Sequence, residues 1–156
     1  MIKTFFKKRG KRFFESFLYD KYQDVEIEMN VAAGVVLRND PNNITIDQIL
    51  LIQRAEDDNW PNYWEIPRGK CDKGKNEDLI KCLKREIKEE TGIDIEPIKL
   101  IDKFDYVADE GKRKSTQHNY LCKLSNNNQQ VKLSKEHQRF RWVSSLSEVQ
   151  LKQFKK

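Results

Sequence analysis

No apolar run in this 156-residue chain approaches the roughly 18 residues of a membrane-spanning helix, which excludes a helical transmembrane protein. Six glycines and four prolines are too few for a linker-dominated or collagen-like chain. No internal period recurs, so an extended repeat array is excluded as well. Cysteine occurs three times, at Cys71, Cys82 and Cys122, an odd count with no C-x-x-C pair. That pattern argues against a disulfide framework and a zinc knuckle, and for a reducing, cytoplasmic compartment. The N-terminus has no continuous apolar stretch of secretory length. It is basic and carries Phe5, Phe6, Phe13 and Phe14, but few hydroxyl residues and the early acids Glu15 and Asp20 speak against a transit peptide.

What is present points to a folded domain. Hydrophobic residues make up 37% and charged residues 35%, and eight Phe, five Tyr and three Trp exclude a disordered chain. The length fits one domain that buries about 68–70% of its unfolded surface. The net charge of +5 is unevenly placed. Lys3, Lys7, Lys8, Arg9, Lys11 and Arg12 lie in residues 1–14 with no acid, leaving 24 basic against 25 acidic side chains in the rest. The body is therefore nearly neutral, and a domain that binds nucleic acid over its whole surface is excluded.

Residues 1–24 read as a basic extension, with an amphipathic helix around 11–22 carrying Phe13, Phe14, Phe17, Leu18 and Tyr22. Residues 25–156 read as the domain. Strands are expected at 25–38, 48–54, 97–106, 117–124 and 139–143, with short extended pieces at 64–67 and 131–133. Residues 40–43 read as a turn and 69–75 as a loop. The clearest helix runs over 76–91, with Asn76 as N-cap, Leu79, Ile80, Leu83 and Ile87 as its apolar stripe, and Gly92 ending it. A terminal helix is expected over 146–154. Strands with one central and one terminal helix make an α/β or α+β sandwich.

The central helix ends in Arg85-Glu86-Ile87-Lys88-Glu89-Glu90-Thr91-Gly92-Ile93. Glu86, Glu89 and Glu90 stand at i, i+3 and i+4, so their carboxylates share one face. Like charges in that arrangement ask for a cation, and carboxylate oxygens suit hard ions such as magnesium or manganese. Arg85, one turn before Glu89, can hold it by a fork-like hydrogen bond. On spacing alone the cluster reads equally as a solvated acidic helix end, because Lys81, Lys84 and Lys88 lie beside it.

Upstream stands Trp64-Glu65-Ile66-Pro67-Arg68-Gly69-Lys70. A strand, a glycine loop and a helix bearing Arg-Glu-x-x-Glu-Glu-x-Gly resemble the Nudix hydrolase signature: Gly, five residues, Glu, seven residues, then Arg-Glu-apolar-x-Glu-Glu-x-Gly-apolar. Glu77 through Ile93 matches its second half without a gap. Seven residues rather than five separate Gly69 from Glu77, which reads as a two-residue insertion with Glu77, not Lys75, keeping the glutamate's role. Phe104-Asp105-Tyr106-Val107-Ala108, residues 112–120 and Ser134-Lys135-Glu136-His137-Gln138-Arg139-Phe140-Arg141-Trp142 further resemble asymmetric diadenosine tetraphosphate hydrolases. The likeness covers most of residues 29–154.

The resemblance implies an α/β/α sandwich with a mixed sheet and one catalytic helix. It implies metal-dependent hydrolysis of a pyrophosphate bond, with magnesium or manganese held by Glu86, Glu89, Glu90, Glu136 and the backbone carbonyl at Gly69. It also implies catalytic roles for Glu77, Arg85 and Glu89, and Glu136 as a further ligand or general base. Tyr106 matches the family's base-stacking tyrosine, though on its own it reads equally as a cross-strand core aromatic. Lys112 and Lys114, with Arg113, form a basic cluster that meets a polyphosphate or caps a solvated hairpin. His137 reads as structural, and His118 has no partner legible from sequence. Three functions remain open: a hydrolase of dinucleoside polyphosphates, an RNA 5′-end pyrophosphohydrolase whose basic segment 1–14 holds the RNA backbone, and a non-catalytic nucleotide-binding module.

Overall fold

A computed structural model describes residues 28–72 and 77–149. The basic extension, the helix expected over 11–22, Lys75, Asn76 and the terminal helix beyond Val149 lie outside the described residues. β1 (Glu28–Asp40) and β2 (Asn43–Arg54) form a hairpin closed across Asp40 and Asn43. The 40–43 turn follows from chemistry: Pro41 sets the bend, and the Asp40 carboxylate accepts the Asn42 N–H at 2.8 Å. β3 (Trp64–Glu65) and β4 (Arg68–Lys70) are short, and α1 (Leu79–Thr91) follows. β5 (Ile95–Ala108), a 3₁₀ turn at Asp109–Gly111, β6 (Arg113–Leu124), β7 (His137–Val143) and a 3₁₀ turn at Leu146–Glu148 complete the described chain.

The sheet is mixed, with main order β3-β2-β1-β6-β5, β4 paired to β1 and β7 to β2. β1 runs parallel to β6 and antiparallel to β2 and β4. Its near-continuous apolar run is what a strand covered on both faces requires. Ala32 and Val36 join one core with Leu50, Ile52, Leu83, Ile87 and Tyr120. Ala33 and Val35 join the other with Leu51, Ile66, Val143 and Val149. Each fully buried Leu or Ile in these cores stabilises the fold by about 1.5–3 kcal/mol. Among the described residues, no helix is long and apolar enough to cross a membrane.

Four local readings are corrected. The helix starts at Leu79, and Asp78, not Asn76, caps it by accepting the Lys81 N–H at 2.8 Å. Both are good capping residues, and the apolar stripe sets which one ends the extended segment. The start of the expected 69–75 loop is strand, because the Arg68–Lys70 backbone finds partners on β1 at Val31, Ala32 and Ala33. Residues 131–133 are not a strand; the Lys132 N–H instead meets the Thr91 carbonyl at 2.8 Å and seals the helix end. Finally, Cys71 and Cys82 form a disulfide, with Cα atoms 5.2 Å apart, while Cys122 is free and buried. The bridge joins the residue after β4 to the first turn of α1, a proximity that no cysteine spacing announces. At the other end Gly92 stops the helix as expected: its φ of 72° is left-handed, and its N–H bonds the Lys88 carbonyl.

Candidate functional site

α1 packs against β1 through Leu83 and Ile87, which turns Glu86, Glu89 and Glu90 toward β4. The carboxylates sit in three different environments. Glu89 is largely exposed, its side chain 59% accessible. Glu86 lies over Gly69 so closely that a Cβ there would sit 1.8 Å from its Oε2. Only glycine leaves that space, which gives the signature glycine a steric reason. Glu90 is buried and accepts the Arg68 backbone N–H at 3.0 Å. Burial, and then the charges of Glu65, Glu86 and Glu136, push the Glu90 carboxyl up to about 9 against the single lowering effect of that hydrogen bond. Burial raises Glu86 as well, opposed by Arg85.

Arg85 is the organiser of this face. Its Nε and Nη2 donate to the two oxygens of Glu77 at 2.7 and 2.9 Å. Nη1 reaches Glu86 at 2.8 Å and Glu89 at 3.1 Å, and Nη2 also meets the Lys70 carbonyl at 3.0 Å. The fork expected on Glu89 is thus made to Glu77, and Glu89 receives one bond. Glu77 in turn accepts the Asp72 N–H at 2.9 Å, bracing the chain on the near side of the loop. The hydrogen bonds that Arg85 donates to Glu77, and then to Glu86 and Glu89, outweigh its burial and raise its pKa further.

Glu86, Glu89 and Glu90 open on a cavity of about 990 Å³, within the range of small-molecule sites, whereas Arg85 and Glu77 stand behind its lining. Of the residues singled out from sequence, Gly69, Glu86, Glu89, Glu90, Glu136 and Tyr106 line it. Lys112 and Lys114 do not. Strand alternation explains Lys114, which turns toward Asp105 at 3.8 Å, while Arg113 lines the cavity and meets Ser115 at 3.2 Å. Tyr106 stands beside Phe104 with ring centres 5.9 Å apart. His118 meets Asn30 at 3.3 Å.

The structure adds residues that the sequence did not flag. Trp60 lines the mouth, 63% exposed, edge-on to Tyr63 at 5.9 Å. Its N–H is held by Asp58, itself gripped by Arg54 at 2.9 Å. Arg54 also meets Glu65 at 3.2 Å, and Glu65 meets His137 Nε2 at 2.9 Å. Burial would raise the Glu65 carboxyl, but the His137 hydrogen bond and the charges of Arg68 and Arg54 outweigh it and hold it low. Arg68 Nη1 donates to buried Gln117 at 2.8 Å. The available signal was Arg68-Gly69 beside Trp64-Glu65; the long-range partners, 49 residues away for Gln117, carried none.

The donor set fits a hard divalent cation. Several carboxyl groups converge, one of them too buried to ionise readily without a cation, beside the side-chain-free backbone of Gly69. Glu90, Glu136 and His137 offer ligand atoms within 4.8 Å of one another.

The NUDIX domain model matches residues 28–156. The mouse (Mus musculus) asymmetrical bis(5′-nucleosyl)-tetraphosphatase is 36% identical over 118 residues, covering 73% of this chain and 75% of that protein. An RNA pyrophosphohydrolase of Pelagibacter ubique is 33% identical over 79 residues, covering 50% of this chain and 44% of that protein. Among solved structures, a Caenorhabditis elegans Ap4A hydrolase binary complex superposes with a TM-score of 0.59 at 29% identity, covering 73% of this chain and 78% of that one.

Proposed function

The chain belongs to the NUDIX domain family and is a pyrophosphohydrolase, and from that premise we propose that its substrates are dinucleoside polyphosphates such as diadenosine tetraphosphate. The observation that carries this reading is the cavity that joins the acidic face of α1 to Tyr106 and Trp60. A polyphosphate chain needs the first, and a nucleobase needs the second. Likeness to the mouse tetraphosphatase along 73% of the chain supports it further.

In this reading Glu86, Glu89, Glu90 and Glu136, with the Gly69 carbonyl, hold magnesium or manganese. Bound there, such an ion neutralises phosphate oxygens and makes a coordinated water more acidic. Arg85 and Glu77 are positioning residues, which fix Glu86 and Glu89 against each other's repulsion. A Glu136 carboxylate oxygen takes a proton from the attacking water. The water oxygen bonds phosphorus, one bridging P–O bond breaks, and two phosphate-bearing nucleotides leave. Tyr106 stacks on one base, and Arg113 meets the phosphates in the position that sequence assigned to Lys112 and Lys114.

A substrate panel tests the reading. Dinucleoside polyphosphates, ADP-ribose, nucleoside triphosphates and 5′-triphosphate RNA are compared by kcat/KM with magnesium. Diadenosine tetraphosphate is expected to lead. The RNA alternative draws on the partial likeness to an RNA pyrophosphohydrolase and on the charge of residues 1–14. Deleting 1–14 is expected to leave diadenosine tetraphosphate hydrolysis unchanged within about twofold at physiological salt, because a short substrate gains little from a remote basic segment. A fall confined to RNA would move the assignment to 5′-end hydrolysis.

A further inference from the structure

His137 begins β7, and its side chain is only 3% exposed. Its two ring nitrogens have opposite fates. Nε2 lies 2.9 Å from Glu65 Oε1. Nδ1 is buried and has no hydrogen-bond partner among the described residues. Few buried polar atoms are left so, and each asks what completes it.

The proton on the ring follows from Glu65. That carboxylate is met by Arg54 at 3.2 Å and Arg68 at 3.4 Å, both permanent cations. An ionised carboxylate only accepts hydrogen bonds, so Nε2 must carry the N–H that it receives. With Nε2 turned to Glu65, Nδ1 is the ring nitrogen left to offer a lone pair. One oxygen of Glu90, one of Glu136 and one ring nitrogen of His137 lie within 4.8 Å of one another, and of the two nitrogens Nε2 is already turned to Glu65. A cation in their midst would displace the proton that burial keeps on Glu90 and would complete all three groups at once. A histidine whose far nitrogen is fixed by a carboxylate is also the arrangement that orients metal-bound imidazoles and makes them more basic.

We propose that His137 Nδ1 is a nitrogen ligand to the divalent cation held by Glu90 and Glu136, making this end of the site a mixed nitrogen–oxygen site. Glu65, Arg54 and Arg68 set the ring's tautomer and aim. The inference rests on the metal reading of the proposed function and adds a selectivity to it. Oxygen-only sites suit magnesium, whereas an imidazole shifts preference toward cobalt, zinc and other transition ions. The backbone holds the ring in place. The Ala55 N–H bonds the Glu136 carbonyl at 2.9 Å, and on the other side the Gln138 side-chain amide donates to the Arg54 carbonyl at 2.8 Å.

The test uses the full chain stripped of metal. Cobalt and magnesium affinities are measured by calorimetry for the parent and for His137→Gln. In parallel, the histidine ring ¹⁵N resonances of the parent are followed as zinc is added. The expected result is a fall of about tenfold or more in cobalt affinity for His137→Gln. Magnesium affinity should change by less than about threefold, because magnesium takes little from a nitrogen donor. The Nδ1 resonance should move on zinc binding while Nε2 keeps its proton. An unmoved Nδ1 resonance in a parent that binds zinc overturns the proposal and leaves the carboxylate site standing, without needing the variant to fold. If the parent binds none of the three ions, the metal reading itself fails and takes this inference with it.

Discussion

At the inner end of the cavity Glu90 is 7% exposed and tied to the Arg68 backbone, and Arg85 makes bonds to three carboxylates and a carbonyl. At the outer end Trp60 is 63% exposed and touches Tyr63 edge-on. Arg85 ties Glu77, Glu86 and Glu89 together, and the β4 backbone holds Glu90. The rim aromatics are held by their backbone and leave their faces open. An end that positions charge must be rigid before substrate arrives, because misplacement there removes the electrostatic benefit. An end that grips a flat base gains its energy from the ligand and can remain exposed until then.

The sharpest way to break this contrast is Glu90→Gln, which keeps the shape and removes one charge. It is expected to lower kcat by about a hundredfold or more. A rate within about tenfold of the parent would remove Glu90 from the metal site. The same variant reads the electrostatics through stability. Glu90 is raised from 4.5 to about 9 in the metal-free fold, so the unfolded chain loses the proton first. Its contribution to stability is therefore full below about pH 4.5 and is lost as pH rises through about 9. The Tm of the metal-free parent should fall relative to Glu90→Gln between those values, and parallel Tm curves would contradict the shift.

Gly69→Ala probes the same end through packing. The new Cβ would meet Glu86 Oε2 at 1.8 Å, so the carboxylate must swing away. The expected cost is about 1–3 kcal/mol of stability with a kcat loss of at least about tenfold. Normal activity with an unchanged urea midpoint would show that Glu86 is free to move.

The rim should respond more mildly and in a different constant. Trp60→Ala is expected to raise KM for diadenosine tetraphosphate about tenfold while kcat stays within about twofold, as fits the loss of one stacking surface. Tyr106→Ala should behave alike. Equal losses in kcat would mean that the rim also positions the phosphates, and the division between the two ends would dissolve.

The two ends also differed in how far they could be read from residues alone. Glu86, Glu89 and Glu90 are one helical turn apart, so periodicity and the signature located them before any coordinates. Gly92 was legible because a helix that ends there needs a left-handed residue. Glu65, Gln117 and Trp60 were not, because their roles depend on contacts between distant strands. Arg68 meets Gln117 only because β4 and β6 flank β1. Lys114 was misread for a related reason: a basic run looks continuous in sequence, but a strand sends alternate residues to opposite faces. The Cys71–Cys82 bridge escaped because its two residues meet only after β4 has paired with β1.

The parallel pairing of β1 with β6 has a consequence in time. Its partners are 86 residues apart, from Glu28 with Lys114 to Leu37 with Lys123. During synthesis β1 can close its hairpin with β2 early, and α1 can then pack its apolar stripe on β1. The β6 edge of β1 must wait until most of the domain has emerged. Pairings of such long range carry a large loop-closure cost and slow folding. The β1–β6 pairing also brings Gln117 to Arg68, so this part of the cavity wall is built late, ahead only of Glu136 and His137 at the head of β7.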